Sequence, residues 1–166
     1  MKRALLSAFV LMSTCARLPK DASCISRCGL RSTENCAALQ AYETRVLGAF
    51  DGLDWGTSSE VCALLAGWRV EAHIRKPSDF ICEEGWFLDE GHFCVLGYTH
   101  TDRRTVEVFT ADWDRSPLGH ELVHALDFTS RGKVGHCKWQ ERGIKKALLE
   151  IQGRPDPSKS EEGCKL

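Results

Sequence analysis

The stretch TVEVFTADWDRSPLGHELVHALDF, residues 105–128, decides how this chain is read. Thr105 to Thr110 alternates polar and apolar side chains, the period of a half-buried strand. After a short connector, Ser116-Pro117 places a capping hydroxyl and a first-turn proline where a helix begins. The helix is expected to run to about Phe128. Leu118, Leu122, Ala125 and Leu126 fall on one side of it, and His120, His124 and Asp127 on the other. Such a helix buries its apolar back against a sheet and turns its histidines toward a cleft.

Residues 120–124 read His-Glu-Leu-Val-His. At about 100° per residue, positions four apart lie within about 40° of each other, so His120 and His124 project onto a common cation. Neutral imidazole nitrogens suit Zn²⁺, which acidifies a water and polarises a carbonyl. Glu121, one step round the helix, is the candidate general base. No separate Ser/His/Asp pattern competes for the chemistry.

The motif on a helix preceded by a strand resembles the zincin superfamily of zinc metallopeptidases. The resemblance covers residues 105–150 and not the cysteine-rich N-terminal part. It implies that His120 and His124 bind zinc and that Glu121 activates water against a peptide bond. It also implies a third ligand further along the chain. The metzincin extension is missing, because Asp127 and Ser130 stand where that subgroup needs Gly and His. Two candidates for the third ligand are open. His136 lies beyond a loop with Gly132 and Gly135, and Glu141 lies on an expected following helix, as in the glutamate-zincins. His136 is preferred, since imidazole is a common zinc ligand and neighbouring Cys137 offers its loop a disulfide. Asp127 is a candidate to orient a ligand imidazole. Tyr98 and His100 are candidate oxyanion donors. His73 reads as a half-buried sheet residue, and the five tryptophans read as core.

Working outward, Ser32 or Thr33 caps an expected helix through Leu39, Tyr42, Val46 and Phe50, and Ser58 or Ser59 caps a second one ending at Gly67. Trp68 to Arg75, Gly85 to Leu88 and Phe93 to Tyr98 read as further strands, and Lys138 to Ile151 as the closing helix. The connectors between strands are too short for crossover helices. The expected fold is therefore α+β, with a small antiparallel sheet against the histidine helix and additional helices, stapled by disulfides. Thr105–Thr110 is read as an edge strand that pairs with an extended peptide beside the cleft.

The chain has 166 residues, 43% of them hydrophobic, and a net charge of -1, which suits one domain over residues 16–166 and gives no electrostatic footprint for nucleic acid. Met1-Lys2-Arg3 followed by Ala4 to Met12 reads as an export signal over residues 1–15. Leu11 to Cys15 resembles a bacterial lipobox, which implies a lipid on Cys15 as the route to a membrane, with ordinary signal cleavage as the alternative. Removing Cys15 from nine cysteines leaves an even number, as disulfides in an oxidising compartment require. Cys24, Cys28 and Cys36 are close enough to staple the N-terminal arm locally. The expected activity is zinc-dependent hydrolysis of a peptide or protein substrate in the bacterial envelope or outside the cell. The alternatives are a noncatalytic envelope lipoprotein with a structural metal site, and a hydrolase of another amide. The sequence leaves the oligomeric state open.

Overall fold

Two strands that are far apart in sequence form the centre of the molecule, β3 (Arg69–Ile74) and β7 (Thr105–Thr110). They pair in parallel over their full length, with Arg69 opposite Thr105 and Ile74 opposite Thr110. Val70 and Ala72 on β3 and Val106 and Val108 on β7 are buried toward the helices. Their alternates, Glu71, His73, Glu107 and Phe109, occupy the other face. The computed structural model describes residues 24–32, 36–74, 82–84, 92–94, 97–110, 113 and 116–153.

Around this pair the sheet extends in the order β1-β2-β3-β7-β6, where β1 is Cys24–Ile25, β2 is Arg31–Ser32 and β6 is Gly97–His100. β4 (Cys82–Glu84) and β5 (His92–Cys94) form a separate antiparallel pair. The architecture is α+β as expected, but the sheet is mixed and not antiparallel. β2 and β3 are parallel, β3 and β7 are parallel, and β6 runs antiparallel to β7. Closeness in sequence misled because β3 does not pair with the strand that follows it. β7 enters the sheet in the direction of β3. β1 and β2 were not expected, since two-residue strands are too short to show a period.

The helices are α1 (Cys36–Phe50), α2 (Ser58–Leu65), α3 (Leu118–Arg131) and α4 (Ile144–Gln152). Ser32 pairs in β2 and does not cap α1, and Thr33 lies outside the described residues. Thr57, not Ser58 or Ser59, caps α2. It forms a reciprocal box with Glu60, whose Oε2 accepts from the Thr57 N–H at 2.8 Å. α4 starts later than expected, because residues 137–143 form turns. Lys138 (φ 59°) and Gly143 (φ 74°) adopt left-handed conformations that a continuous helix excludes. The expected strand Gly85–Leu88 lies outside the described residues, as do the signal segment, Cys15 and Cys164.

α3 buries Leu118, Leu122, Ala125 and Leu126, the apolar back that its periodicity predicts, and Val123 besides. Its start is capped by a residue distant in sequence. The Tyr42 hydroxyl, on α1, accepts from the Gly119 N–H at 2.9 Å and donates to the Ser116 carbonyl at 2.9 Å. Ser116 Oγ accepts from the Leu118 N–H. One phenol thus serves two backbone groups at a buried helix end.

Cys28 is bridged to Cys62 on α2 and is not part of a local N-terminal staple. That bridge constrains the unfolded chain by roughly 4 kcal/mol for a loop of this length. It fits an oxidising, extracytoplasmic environment. Cys137 is also disulfide-bonded. Cys24 and Cys36 are unbridged thiols. Burial, and Cys36 beside it, pushes the Cys24 thiol up to about 12. Among the described residues, no helix is long and apolar enough to cross a membrane.

Tyr42→Phe leaves the Gly119 N–H and the Ser116 carbonyl buried without this partner. We expect a loss of about 1–3 kcal/mol, read as a lower urea midpoint at unchanged slope.

Candidate metal centre

α3 follows β7 so closely that its first turns lie beside the edge strand β6, and the histidine motif sits there. The Nε2 atoms of His120 and His124 are 3.2 Å apart. His136, from the loop after α3, brings its Nε2 to 3.1 Å from that of His120. All three ligand atoms lie within 4.8 Å of one another. Two ligands at about 2.0–2.1 Å from a tetrahedral zinc are about 3.3 Å apart, so the spacing of these nitrogens is that of a first coordination shell. The triad can hold a metal ion, and the chemistry of three imidazoles fits a borderline divalent cation such as zinc.

His136 is therefore the third member. Glu141 lies in the turn segment before α4, exposed to solvent. A helix carrying it toward the histidines does not form, because the left-handed residues at 138 and 143 turn the chain instead.

Behind the triad stands Trp139, fully buried, with its ring 4.9, 5.1 and 4.6 Å from those of His120, His124 and His136. Its indole packs against all three imidazoles. Nothing in its sequence context separated it from the other tryptophans, since only the turn at 137–143 points it there.

The turn segment is fixed to α3 by charge. Arg142 reaches Asp127, one turn beyond His124, with two bonds of 2.9 and 2.6 Å. Trp55 Nε1 donates to the same carboxylate at 3.2 Å. Arg142 also holds Asp54, which in turn pairs with Arg131 at 2.7 Å. Asp127, expected to orient a ligand histidine, instead anchors the loop that supplies one. Burial raises the Asp54 carboxyl, but hydrogen bonds from Arg131 and Arg142 outweigh it and hold the group below its usual value of 3.8. Burial likewise works against the Arg142 charge, yet Asp127 and Asp54 prevail and raise it.

On the other side of the cleft, Glu121 is buried at 6% exposure. Thr99 Oγ1 is 2.7 Å from Glu121 Oε2 and 3.0 Å from the Glu121 carbonyl. Gly97 makes room for it. A Cβ at that position would come within 2.7 Å of Glu121 Cγ and 3.0 Å of the Glu107 carbonyl. Thr99 and Gly97 were not singled out from sequence, because nothing there indicates that β6 lies against α3. The cleft is lined by Gly97, Tyr98, Thr99, Val134 and Gly135 with Glu121 and the three histidines, and has a volume of about 380 Å³. Tyr98 lines the cleft and is 46% exposed, but its ring turns toward that of His100, 6.0 Å away. His100 is not among its walls and bonds Glu107 instead, at 3.1 Å. His73 bonds the same carboxylate at 2.9 Å. β7, expected to be an edge, is interior, and among the described residues the strand beside the cleft that ends the sheet is β6.

No known protein family, curated protein or solved structure matches this chain. The site is therefore read from its own geometry.

His136→Ala should weaken zinc binding at the triad by more than the about 10–100-fold typical of losing a supporting hydrogen bond, while Glu141→Ala leaves it unchanged; equilibrium dialysis measures both. Arg142→Met strands the Asp127 carboxylate, and unfolding free energy should fall by about 3–5 kcal/mol in a urea titration. The Asp54 contribution is present above pH 3.8 and is lost as acid lowers the pH through its depressed folded value. Asp54→Asn should therefore flatten the acid limb of the stability profile.

Proposed function

We propose that this cleft is the active centre of an exported, zinc-dependent hydrolase acting on peptide bonds. The observation that carries the reading is the combination of three converging imidazoles with an open cleft and a buried carboxylate in its wall. A structural zinc site is normally closed by four protein ligands, whereas a catalytic one keeps a position for solvent or substrate.

His120, His124 and His136 would hold the ion, which when bound supplies Lewis acidity to a carbonyl and acidifies water. Glu121 takes a proton from the attacking water at its carboxylate and returns it to the departing amine nitrogen. Thr99 holds one oxygen of that carboxylate, so the group is presented in one orientation. Gly97 keeps the strand backbone close enough for this without a clash. A peptide substrate is favoured because, among the described residues, β6 ends the sheet beside the cleft, and an extended chain can add to such an edge through main-chain hydrogen bonds. The resemblance to zincins points to the same chemistry, and the envelope or the cell exterior is the proposed place of action.

The test is Glu121→Gln in the zinc-loaded chain, assayed on a panel of unstructured proteins and fluorogenic peptides. Turnover should fall by about 10²–10⁴-fold while bound zinc is retained. Gly97→Ala should also lower turnover with zinc retained, because the added methyl displaces the carboxylate. Hydrolysis unaffected by Glu121→Gln, or no hydrolysis by the zinc-loaded parent on any peptide, would refute the reading.

A further inference from the structure

The face of the sheet opposite the helices carries a second cluster of metal-ligating side chains. Glu71 and His73 alternate along β3, and Glu107 lies on β7 directly opposite Glu71 in the parallel register. One ligand atom from each of Glu71, His73 and Glu107 lies within 4.8 Å of the others. His73 Nε2 is 2.9 Å from Glu107 Oε1, and His100 Nε2, from β6, is 3.1 Å from Glu107 Oε2. The His73 ring is stacked on Phe109, with centroids 4.9 Å apart and planes inclined by 17°, so its orientation is fixed. The side chains of Glu71, His73 and Glu107 are 31%, 35% and 21% exposed, which leaves the group open to an ion from solvent.

This arrangement is poor as a sheet surface. Like charges directly opposite on neighbouring strands destabilise the pair. Arg69 answers one oxygen of Glu71 at 3.1 Å, and Arg103 approaches Glu107 only to 4.0 Å. Two carboxylates and an imidazole converging on one point, with a second imidazole holding the far oxygen of one carboxylate, are instead the parts of a first-row divalent site and its support. The ligands come from paired strands, which hold geometry better than loops.

We propose that Glu71, His73 and Glu107 bind a second divalent cation, zinc or a similar ion, with His100 as a positioning residue on Glu107. The bound ion removes the repulsion between the facing carboxylates and ties β3 to β7. Through His100 it reaches β6, the strand whose other face carries Thr99 and Gly97 against Glu121. This site stands apart from the histidine triad and does not depend on the proposed activity.

Zinc stoichiometry of the full chain, by equilibrium dialysis with elemental analysis, tests it. The parent should bind about two equivalents, and Glu107→Gln about one. A His120→Ala, His124→Ala variant should keep about one equivalent, lost again when Glu107→Gln and His73→Ala are added. In that triad variant, zinc titration should shift the NMR resonances of the His73 ring. Glu107→Gln that leaves the zinc stoichiometry of the parent unchanged would overturn the proposal, and this result does not require the triad variant to fold.

Discussion

The bidentate contact between Arg142 and Asp127 is the constraint on which the metal centre depends. α3 can present His120 and His124 without help, because a helix fixes their spacing. The third imidazole comes from a loop, and a loop is ordered only if something offsets the entropy of fixing it, about 1–2 kcal/mol per residue for the backbone alone. Arg142 and Trp139 do this from the same turn. The guanidinium is clamped to a buried carboxylate one helical turn past His124, and the indole is packed against all three rings. A buried ion pair contributes little compared with an apolar replacement, but it rejects any arrangement that would leave Asp127 alone. Its role is registry: with Asp127 satisfied, the loop carrying His136 has one place to go.

The carboxylate side of the cleft is built by different means. Glu121 is held by a strand that ends the sheet, through a threonine hydroxyl and a glycine that removes a side chain. The strand is in turn placed by pairing with β7, whose inner face packs under α3. The orientation of the Glu121 carboxylate is thus set by a helix lying on a sheet, and the position of the third imidazole by a salt bridge. The two halves answer to separate parts of the sequence.

Much of this was legible beforehand where a local rule governs. The strand at 105–110, the helix after Ser116-Pro117, its apolar back and the pairing of His120 with His124 all follow from periods of two and of 3.6. The choice of His136 over Glu141 was open until the turn at 137–143 appeared. The left-handed Lys138 that helps to break the helix is the kind of conformation a sequence does not announce at a lysine. The parallel pairing of β3 with β7 was not legible, because alternation tells which face a residue takes and says nothing of which strand lies next to it. Thr99, Gly97 and Trp139 share that limitation: each acquires its role from a neighbour distant in sequence. Asp127 was placed on the correct side of α3, yet its partner is an arginine and not an imidazole, a choice made by the loop and not by the helix.

All three imidazoles come from residues 120–136, whereas the sheet beneath them closes only across residues 75–104. Bringing the rings together is thus inexpensive in loop entropy, while the scaffold is the slow, non-local part of the fold. A chain that has lost its strand pairing still carries its nitrogens within one short segment and can still capture an ion weakly. Any such capture by the unfolded chain subtracts from the stabilisation that the ion gives the native one. Metal added to this protein should therefore raise its resistance to unfolding by less than its affinity for the folded site would suggest.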